Sequence, residues 1–365
     1  MKNQSVLVFK RVTALMCVLA GLGWLLAGCA TAKKTGPQYV FFPPPPDEPR
    51  IQFLTAYSSE KDLRGNTGSS LMRFLTGEQL PDNPIYKPYG AVVADGAIYV
   101  CDTSFGAVLR LDLATKKMSL IAPHGAGALE MPVNLAWGGD GTIYVADSKR
   151  DQVIILNTNG DFVGTLCDKG TNQPRDVALT ADRIYVGDSQ THNVHVFDRA
   201  SRKLLLDIPS GGAAADVKTK LFQPANIALD EQGRLFVSDV GAYRVQVYDK
   251  DGNYLQTIGG YGDNVGEFAR PKGVAVDRRN WVYVADAAEQ VVQMFNDSGR
   301  LLMWFGEPRG SAVGLQLPCK VVIDYDNLQY FEKYVAPGFK LENLIIVINQ
   351  TGTRKVSVFG YVHKI

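Results

Sequence analysis

The chain has little histidine and no clustered cysteine. Its four histidines are His124, His192, His195 and His363. The five cysteines are far apart, and no Cys-x-x-Cys, haem-attachment or zinc-ligand spacing occurs. No Ser-His-Asp or paired-carboxylate motif stands out either, so we assign no catalytic residue. We expect Cys101, Cys167 and Cys319 to be free thiols that pack as small apolar residues.

The chain also lacks an excess of charge of either sign. Residues 1–28 contain Lys2, Lys10 and Arg11 and no acidic residue, so removing them leaves 35 basic and 37 acidic residues. Proteins that bind nucleic acids carry clustered positive charge to meet the phosphates. The composition therefore predicts no nucleic-acid partner.

The N-terminus has the parts of a secretory signal. Basic residues precede an apolar run at residues 12–26, and Leu26-Ala27-Gly28-Cys29 follows. The run is shorter than the ~20 residues of a membrane-spanning helix. The sequence LAGC resembles the lipobox of bacterial lipoproteins; an ordinary signal or a single anchor helix is the alternative.

The lipobox resemblance implies that residues 1–28 are a signal peptide and that Cys29 carries a covalent lipid. The protein would then be anchored to a membrane of the bacterial cell envelope. Ala30, in place of aspartate, resembles the pattern sorted to the outer membrane. Residues 29–50 are predicted to be a linker, in which Pro43–Pro46 form an extended polyproline spacer. The folded domain is then expected at residues 51–365.

From Lys87 onward the sequence repeats one pattern. A proline opens a short apolar run every 42 to 50 residues, at Pro88, Pro132, Pro174, Pro224, Pro271 and Pro318. An aspartate ends the second run in the first five units, at Asp102, Asp147, Asp188, Asp239 and Asp286. Each of the first five units has the strand and turn signals of a four-stranded antiparallel sheet, which buries both faces only by stacking on copies of itself. The pattern predicts a β-propeller.

The amino-acid sequence of the units is specific enough to suggest a repeat family. Pro-Lys-Gly-Val-Ala-Val-Asp at residues 271–277, Tyr-Val-Ala-Asp at 283–286 and the stretch Arg244–Gly260 resemble NHL repeats. The resemblance covers nearly all of residues 87–361. It implies an all-β fold, a six-bladed β-propeller of four-stranded antiparallel blades.

The sixth unit differs from the others. It has no fourth strand, so Ile51–Tyr57 is expected to pair with it and close the ring, which removes exposed sheet edges. It also carries an insertion at residues 327–342. The aromatic residues of the insertion are Tyr330, Phe331, Tyr334 and Phe339. They are predicted either to form a partner surface or to fold back against the barrel.

Positions that vary between units mark the candidate binding site. The second residue after the opening proline is glycine at Gly90 and Gly273, but it is Asn134, Asp176, Asn226 and Lys320 in the other units. Tyr89, Arg175 and Lys272 stand one position earlier. These side chains are expected to converge at the mouth of the central channel. A hydrated channel without a specific ligand is the alternative.

The recurring aspartates are expected to accept backbone N–H groups of turns rather than to act chemically. Apart from the lipid, no cofactor is predicted. A divalent metal is an open alternative, because Asp176, Asn134 and Asn226 offer oxygen atoms of the kind that calcium accepts.

Together these features predict a lipid-anchored propeller that acts as a binding or scaffold module for a protein, peptide or glycan partner. A lyase-like or lactonase-like enzyme that uses a divalent metal at the channel mouth is the alternative. A structural lipoprotein in an envelope or electron-transfer assembly is a third possibility.

Overall fold

The computed structural model describes residues 39–65, 82–167, 170, 172–209, 216–306 and 313–365. The predicted signal peptide, Cys29 and residues 30–38 of the predicted linker lie outside the described residues. Within the described residues, no helix is long and apolar enough to cross a membrane. The only α-helix described, α1, has five residues, Glu60–Arg64.

The strands form six antiparallel sheets, which are the six blades of a propeller. Two strands precede the repeats, β1 (Val40–Phe42) and β2 (Ile51–Tyr57). Blades one and two consist of β3 (Pro88–Ala94), β4 (Ala97–Asp102), β5 (Ala107–Asp112), β6 (Lys117–Ile121), β7 (Pro132–Trp137), β8 (Thr142–Asp147), β9 (Gln152–Asn157) and β10 (Phe162–Leu166). Blade three consists of β11 (Pro174–Leu179), β12 (Arg183–Asp188), β13 (Asn193–Asp198) and β14 (Leu204–Ile208).

The second half of the ring follows the same plan. Blades four and five consist of β15 (Pro224–Leu229), β16 (Leu235–Asp239), β17 (Arg244–Tyr248), β18 (Tyr254–Ile258), β19 (Pro271–Val276), β20 (Val282–Asp286), β21 (Val291–Phe295) and β22 (Leu301–Phe305). Blade six contains β23 (Pro318–Asp324), β24 (Phe339–Asn349) and β25 (Val356–Lys364). Each repeat proline is the first residue of an innermost strand, where a residue without an N–H is tolerated.

The N-terminal strands complete blade six, whose strand order is β1-β2-β25-β24-β23. Ile51 lies opposite Tyr361, and Tyr57 lies opposite Val356. The predicted closure of the ring by Ile51–Tyr57 is confirmed. Because β1 is a fifth strand that pairs with β2, the folded body begins before the expected boundary at Ile51. The residues Pro43–Pro46 reverse the chain between two antiparallel strands, so they do not form the extended spacer predicted for them.

The core lies between neighbouring blades. The middle strands are covered on both faces, so all six residues of β4 are buried. The outermost strands have one open face, and β22 alternates partly buried with exposed side chains before it ends at buried Phe305. Cys101 and Cys319 are buried free thiols, and Cys167 is partly buried.

The recurring aspartates hold the blades' loops together. All five are fully buried. Asp147 accepts hydrogen bonds from the backbone N–H groups of Glu130 at 2.7 Å and Met131 at 3.0 Å, just before its blade begins. It also accepts from those of Lys149 and Arg150, in the turn that follows it. The structure therefore assigns these carboxylates to backbone recognition, as expected.

The insertion of blade six folds back onto the body. Phe331 has no exposed surface, and Tyr330, Tyr334 and Phe339 pack against the same apolar cluster while partly buried. The buried amide of Gln52 in β2 donates to the carbonyl of Tyr334 at 2.7 Å and accepts from the N–H of Ala336 at 3.0 Å. The insertion thus folds back against the body and its backbone contacts the closing strand, which is the second of the two alternatives considered for it.

Candidate functional site at the channel mouth

The six innermost strands place one residue each at a common level of the channel. These residues are Gly90, Asn134, Asp176, Asn226, Gly273 and Lys320. The four polar side chains, here called the central polar cluster, are at most 8% exposed. The Asn134 amide donates to Asn226 Oδ1 at 3.3 Å, and Lys320 Nζ donates to Asp176 Oδ2 at 2.8 Å. The predicted binding residues therefore bond to one another across the channel.

The two glycines permit this close approach. A Cβ atom on Gly90 would lie 2.0 Å from Asn134 Oδ1, and one on Gly273 would lie 2.8 Å from the Cα of Lys320. Neither distance is compatible with a side chain. Glycine at these positions is thus required by packing at the channel axis.

Asp176 has the hydrogen-bond pattern of an ionised carboxylate. Its Oδ1 accepts from the N–H of Val177 at 2.8 Å, and its Oδ2 accepts from the N–H of Ile227 at 2.9 Å as well as from Lys320. Burial raises the pKa of Asp176, and the Lys320 ammonium offsets part of that effect. The pair joins blades three and six, on opposite sides of the ring.

These contacts test whether the cluster suits a divalent metal. Both oxygens of Asp176 already accept hydrogen bonds, and Asn226 Oδ1 accepts one from Asn134. Among the described residues, no group of three or more His, Cys, Asp or Glu side chains could hold a metal ion. With Lys320 in place, the three predicted oxygen donors do not fit a divalent cation.

The other predicted residues meet one level nearer the mouth. Arg175 Nη2 donates to the Tyr89 hydroxyl at 3.2 Å, with its guanidinium carbon 5.8 Å from the centre of the Tyr89 ring. Lys272 Nζ lies 5.1 Å from the centre of the same ring and donates to Gln350 Oε1 at 3.1 Å. The sequence did not identify Gln350, because it follows the second strand of another blade.

Arg175 and Lys272, here called the cation pair, have no carboxylate partner among the described residues. Within the part of the chain that the structure describes, their polar side-chain contacts are with Tyr89, Gln350 and Ser148, the last at 3.5 Å from Arg175. One level below the cation pair, the charges of Lys320 and Asp176 cancel each other. Two cations on one aromatic ring, neither within ion-pair distance of a described carboxylate, can attract an anion. The cation pair is therefore a candidate anion site.

Beyond the central polar cluster, the channel is apolar. This part forms a cavity of about 310 Å³. Its walls include Leu135, Val177, Ile227, Val274 and Val321. Specific polar recognition is therefore concentrated on the side of Tyr89 and the cation pair.

A second titratable group lies away from the channel, in a groove of about 550 Å³ beside blade three. His195 Nδ1 is 2.6 Å from Asp207 Oδ1, and its Nε2 is 2.9 Å from Thr191 Oγ1. Burial lowers the pKa of His195, but hydrogen bonds with Asp188 and Asp207 outweigh burial, so the net shift is upward. Gln246 and Gln293 occupy the same register in blades four and five.

Those glutamines show what the position does. Gln246 donates to the carbonyl of Lys218 at 2.6 Å, and Gln293 donates to that of Glu267 at 2.7 Å. Each thereby holds the loop that leads into its blade. His195 contacts Asn172, in the corresponding loop of blade three, at 3.2 Å. We therefore assign His195 a structural role.

We expect His195→Gln to fold and to change how stability depends on pH. A histidine whose folded pKa is raised stabilises the fold fully below its unfolded pKa of about 6.5, and loses that contribution as pH rises through the folded pKa. Wild type should thus lose stability relative to the variant above about pH 6.5. Thermal unfolding midpoints of both proteins between about pH 5 and pH 9 test this. Parallel profiles would show that His195 is not linked to folding.

Comparison with known proteins agrees with the fold. A family model described as a 6-bladed beta-propeller matches residues 219–303. A gluconolactonase from Zymomonas mobilis is 26% identical over 190 residues, which are 46% of this chain. The match covers 52% of that enzyme, so the chain spans about half the length of this curated relative.

Two solved structures illustrate the similarity. A gluconolactonase from Xanthomonas campestris superposes with a TM-score of 0.54 at 15% identity, covering 90% of this chain and 98% of that one. Virginiamycin B lyase from Staphylococcus aureus superposes with a TM-score of 0.51 at 11% identity, covering 76% and 85%. At such identities the likeness concerns the fold alone. The chain is a six-bladed β-propeller, with lactonase and lyase propellers among its structural neighbours.

Proposed function

We propose that the protein is a propeller enzyme of the lactonase or lyase type, and that it takes an anionic small molecule at the channel mouth. The observation that carries this proposal is the cation pair, two cations on one tyrosine ring without a carboxylate partner among the described residues. The resemblance to lactonase and lyase propellers supports the choice of reaction types. The proposal replaces the divalent metal considered from the sequence with the side chains of the mouth.

Arg175, Lys272 and Tyr89 suit both lactone hydrolysis and an elimination. Arginine and lysine bind carboxylates through charge-assisted hydrogen bonds. When water attacks a lactone carbonyl, negative charge develops on the carbonyl oxygen; in an elimination it develops on an enolate. A nearby cation stabilises either charge, and the Tyr89 hydroxyl can exchange a proton with the reacting group. Arg175 and Lys272 would therefore bind and stabilise the anion, and Tyr89 would transfer the proton.

The test is turnover, by the purified mature chain, of esters and lactones that carry a carboxylate group. Wild type should hydrolyse or cleave at least one, and Arg175→Met and Lys272→Met should each lower kcat/KM by about 10-fold or more. Arg278→Met is the matched control. The guanidinium carbon of Arg278 lies 4.1 Å from the centre of the Tyr325 ring, at the end of the propeller opposite the mouth. No turnover by wild type, or equal losses in the control, would contradict the proposal.

A binding or scaffold role is the second candidate. It is supported by large apolar side chains on the outermost strands, including Leu204, Leu205 and Trp304, which are 54%, 50% and 50% exposed. A protein, peptide or glycan partner would then dock on the rim of the ring. Capture of a partner from solubilised envelope by wild type, and its loss in the double variant Leu204→Ser/Leu205→Ser, would support this role. Equal capture by wild type and the double variant would exclude this rim as the docking surface.

Envelope anchoring through a lipid on Cys29, and sorting to the outer membrane, are proposals that rest on the LAGC sequence. The likeness to NHL repeats is likewise a prediction from sequence. Cys29→Ala should move the protein from the membrane fraction to the soluble fraction of cells. Retention of the variant in the membrane would contradict lipid anchoring.

A further inference from the structure

We propose that Lys320 is a built-in cation that occupies an oxygen-lined cation site at the centre of the ring, so that the central polar cluster needs no metal ion. The proposal goes beyond the proposed function. It concerns Lys320, Asp176 and the two asparagines, and not the cation pair that would bind substrate.

The oxygen donors come from three consecutive blades. Asn134, Asp176 and Asn226 occupy the same register in blades two, three and four, and each is at most 1% exposed. Lys320 enters from blade six, across the ring, and reaches Asp176 Oδ2 at 2.8 Å. The three oxygen-bearing side chains thus share one level of the channel with a tethered cation, which contacts the carboxylate among them.

One oxygen atom of the cluster accepts no hydrogen bond. Asn134 Oδ1 is buried and has no hydrogen-bond partner among the described residues. It packs against Gly90, where a Cβ atom would lie only 2.0 Å from it. A buried oxygen without a donor is costly, and a cation at the centre is the kind of group that lowers that cost. The cluster therefore has more acceptor capacity than its hydrogen bonds use.

Charge balance explains why the cation is a lysine. A buried carboxylate without a counter-charge is strongly unfavourable, and a single ammonium neutralises Asp176. A divalent ion added beside Lys320 would leave an excess of two positive charges next to Arg175 and Lys272. Because the ammonium is tethered to β23, it also cannot dissociate.

The proposal predicts that removing the lysine uncovers a cation site. In Lys320→Ala the carboxylate of Asp176 faces an empty space of the size of the lost side chain, in the same cluster as the unbonded Asn134 Oδ1. Calcium ions bind to such carboxylate and amide oxygens. The double variant Lys320→Ala/Asp176→Asn has the same space and no carboxylate, so it is the matched control.

The measurement is the thermal unfolding midpoint with CaCl2, against KCl of equal ionic strength. Wild type should not respond to CaCl2 or to a chelator. Lys320→Ala should gain roughly 5 °C in about 10 mM CaCl2, and the double variant should gain nothing. If Lys320→Ala does not fold alone, refolding from urea should succeed with calcium and fail without it.

Three results would overturn the proposal. The first is a wild type that calcium stabilises or a chelator destabilises. The second is a folded Lys320→Ala that does not respond to calcium, and the third is an unfolded Lys320→Ala that calcium does not rescue. Substrate turnover is not needed for any of these readings. If the calcium experiments contradict the role of Lys320, the proposed activity at Arg175 and Lys272 is unaffected. If that activity is not found, the calcium experiments still test the role of Lys320.

Discussion

A chain that begins at Ser58, and so lacks β1 and β2, should not fold cooperatively. Ile51, Leu54 and Tyr57 are 0%, 7% and 4% exposed. Leu54 and Tyr57 belong to the core between blades six and one, and Ile51 belongs to the core between blades five and six, so their removal opens both. It also leaves the hydrogen-bonding edge of β25 unpaired and deprives the insertion of its contact with Gln52. Three buried side chains at about 2 kcal/mol each amount to about 6 kcal/mol, which is comparable with the 5 to 15 kcal/mol of stability that a typical protein has in total.

Urea unfolding followed by circular dichroism is the measurement. A chain that begins at Tyr39 keeps both strands and should unfold in one cooperative transition. Addition of a peptide of residues 39–57 to the truncated chain should restore that transition, because the strand pairs with β25 from outside. A truncated chain with an unchanged midpoint would show that the ring does not depend on its N-terminal closure.

Asp147→Ala should lower the free energy of unfolding by about 3 to 5 kcal/mol. Four backbone N–H groups share this carboxylate, and an unpaired buried donor costs about 1 to 3 kcal/mol, with water compensating for some. Denaturant unfolding measures the loss. Asp147→Asn keeps one acceptor oxygen, so its free energy of unfolding should lie between those of wild type and Asp147→Ala. A loss below about 1 kcal/mol in the alanine variant would contradict the structural role of the repeated aspartates.

Much of this fold could be predicted from sequence because the repeat expresses it locally. The prolines begin the innermost strands and the aspartates end the second strands in each of the first five blades. The residue positions after each proline also indicated which side chains share a channel level. Strand β1 could not be predicted, because three residues next to a proline run carry no strand periodicity.

The site itself was harder to predict, because its contacts join residues distant in sequence. Lys320 and Asp176 are 144 positions apart, and only the closed ring brings them together. The sequence therefore suggested a metal ligand in Asp176, where the structure shows a carboxylate neutralised by lysine. Lys272 and Gln350 are 78 positions apart for the same reason. The aromatic insertion kept two alternatives open because burial of Phe331 depends on where β2 lies.

The measurement that tests the central claim most directly is the affinity of the channel mouth for an anion. Isothermal titration of gluconate into wild type, Arg278→Met and Arg175→Met/Lys272→Met separates the mouth from the rest of the surface. Wild type and Arg278→Met should bind alike, and the double variant should bind about 100-fold more weakly, because two charge-assisted hydrogen bonds of about 1.5 kcal/mol each are lost. Equal affinity in all three proteins would show that Arg175 and Lys272 do not form the anion site.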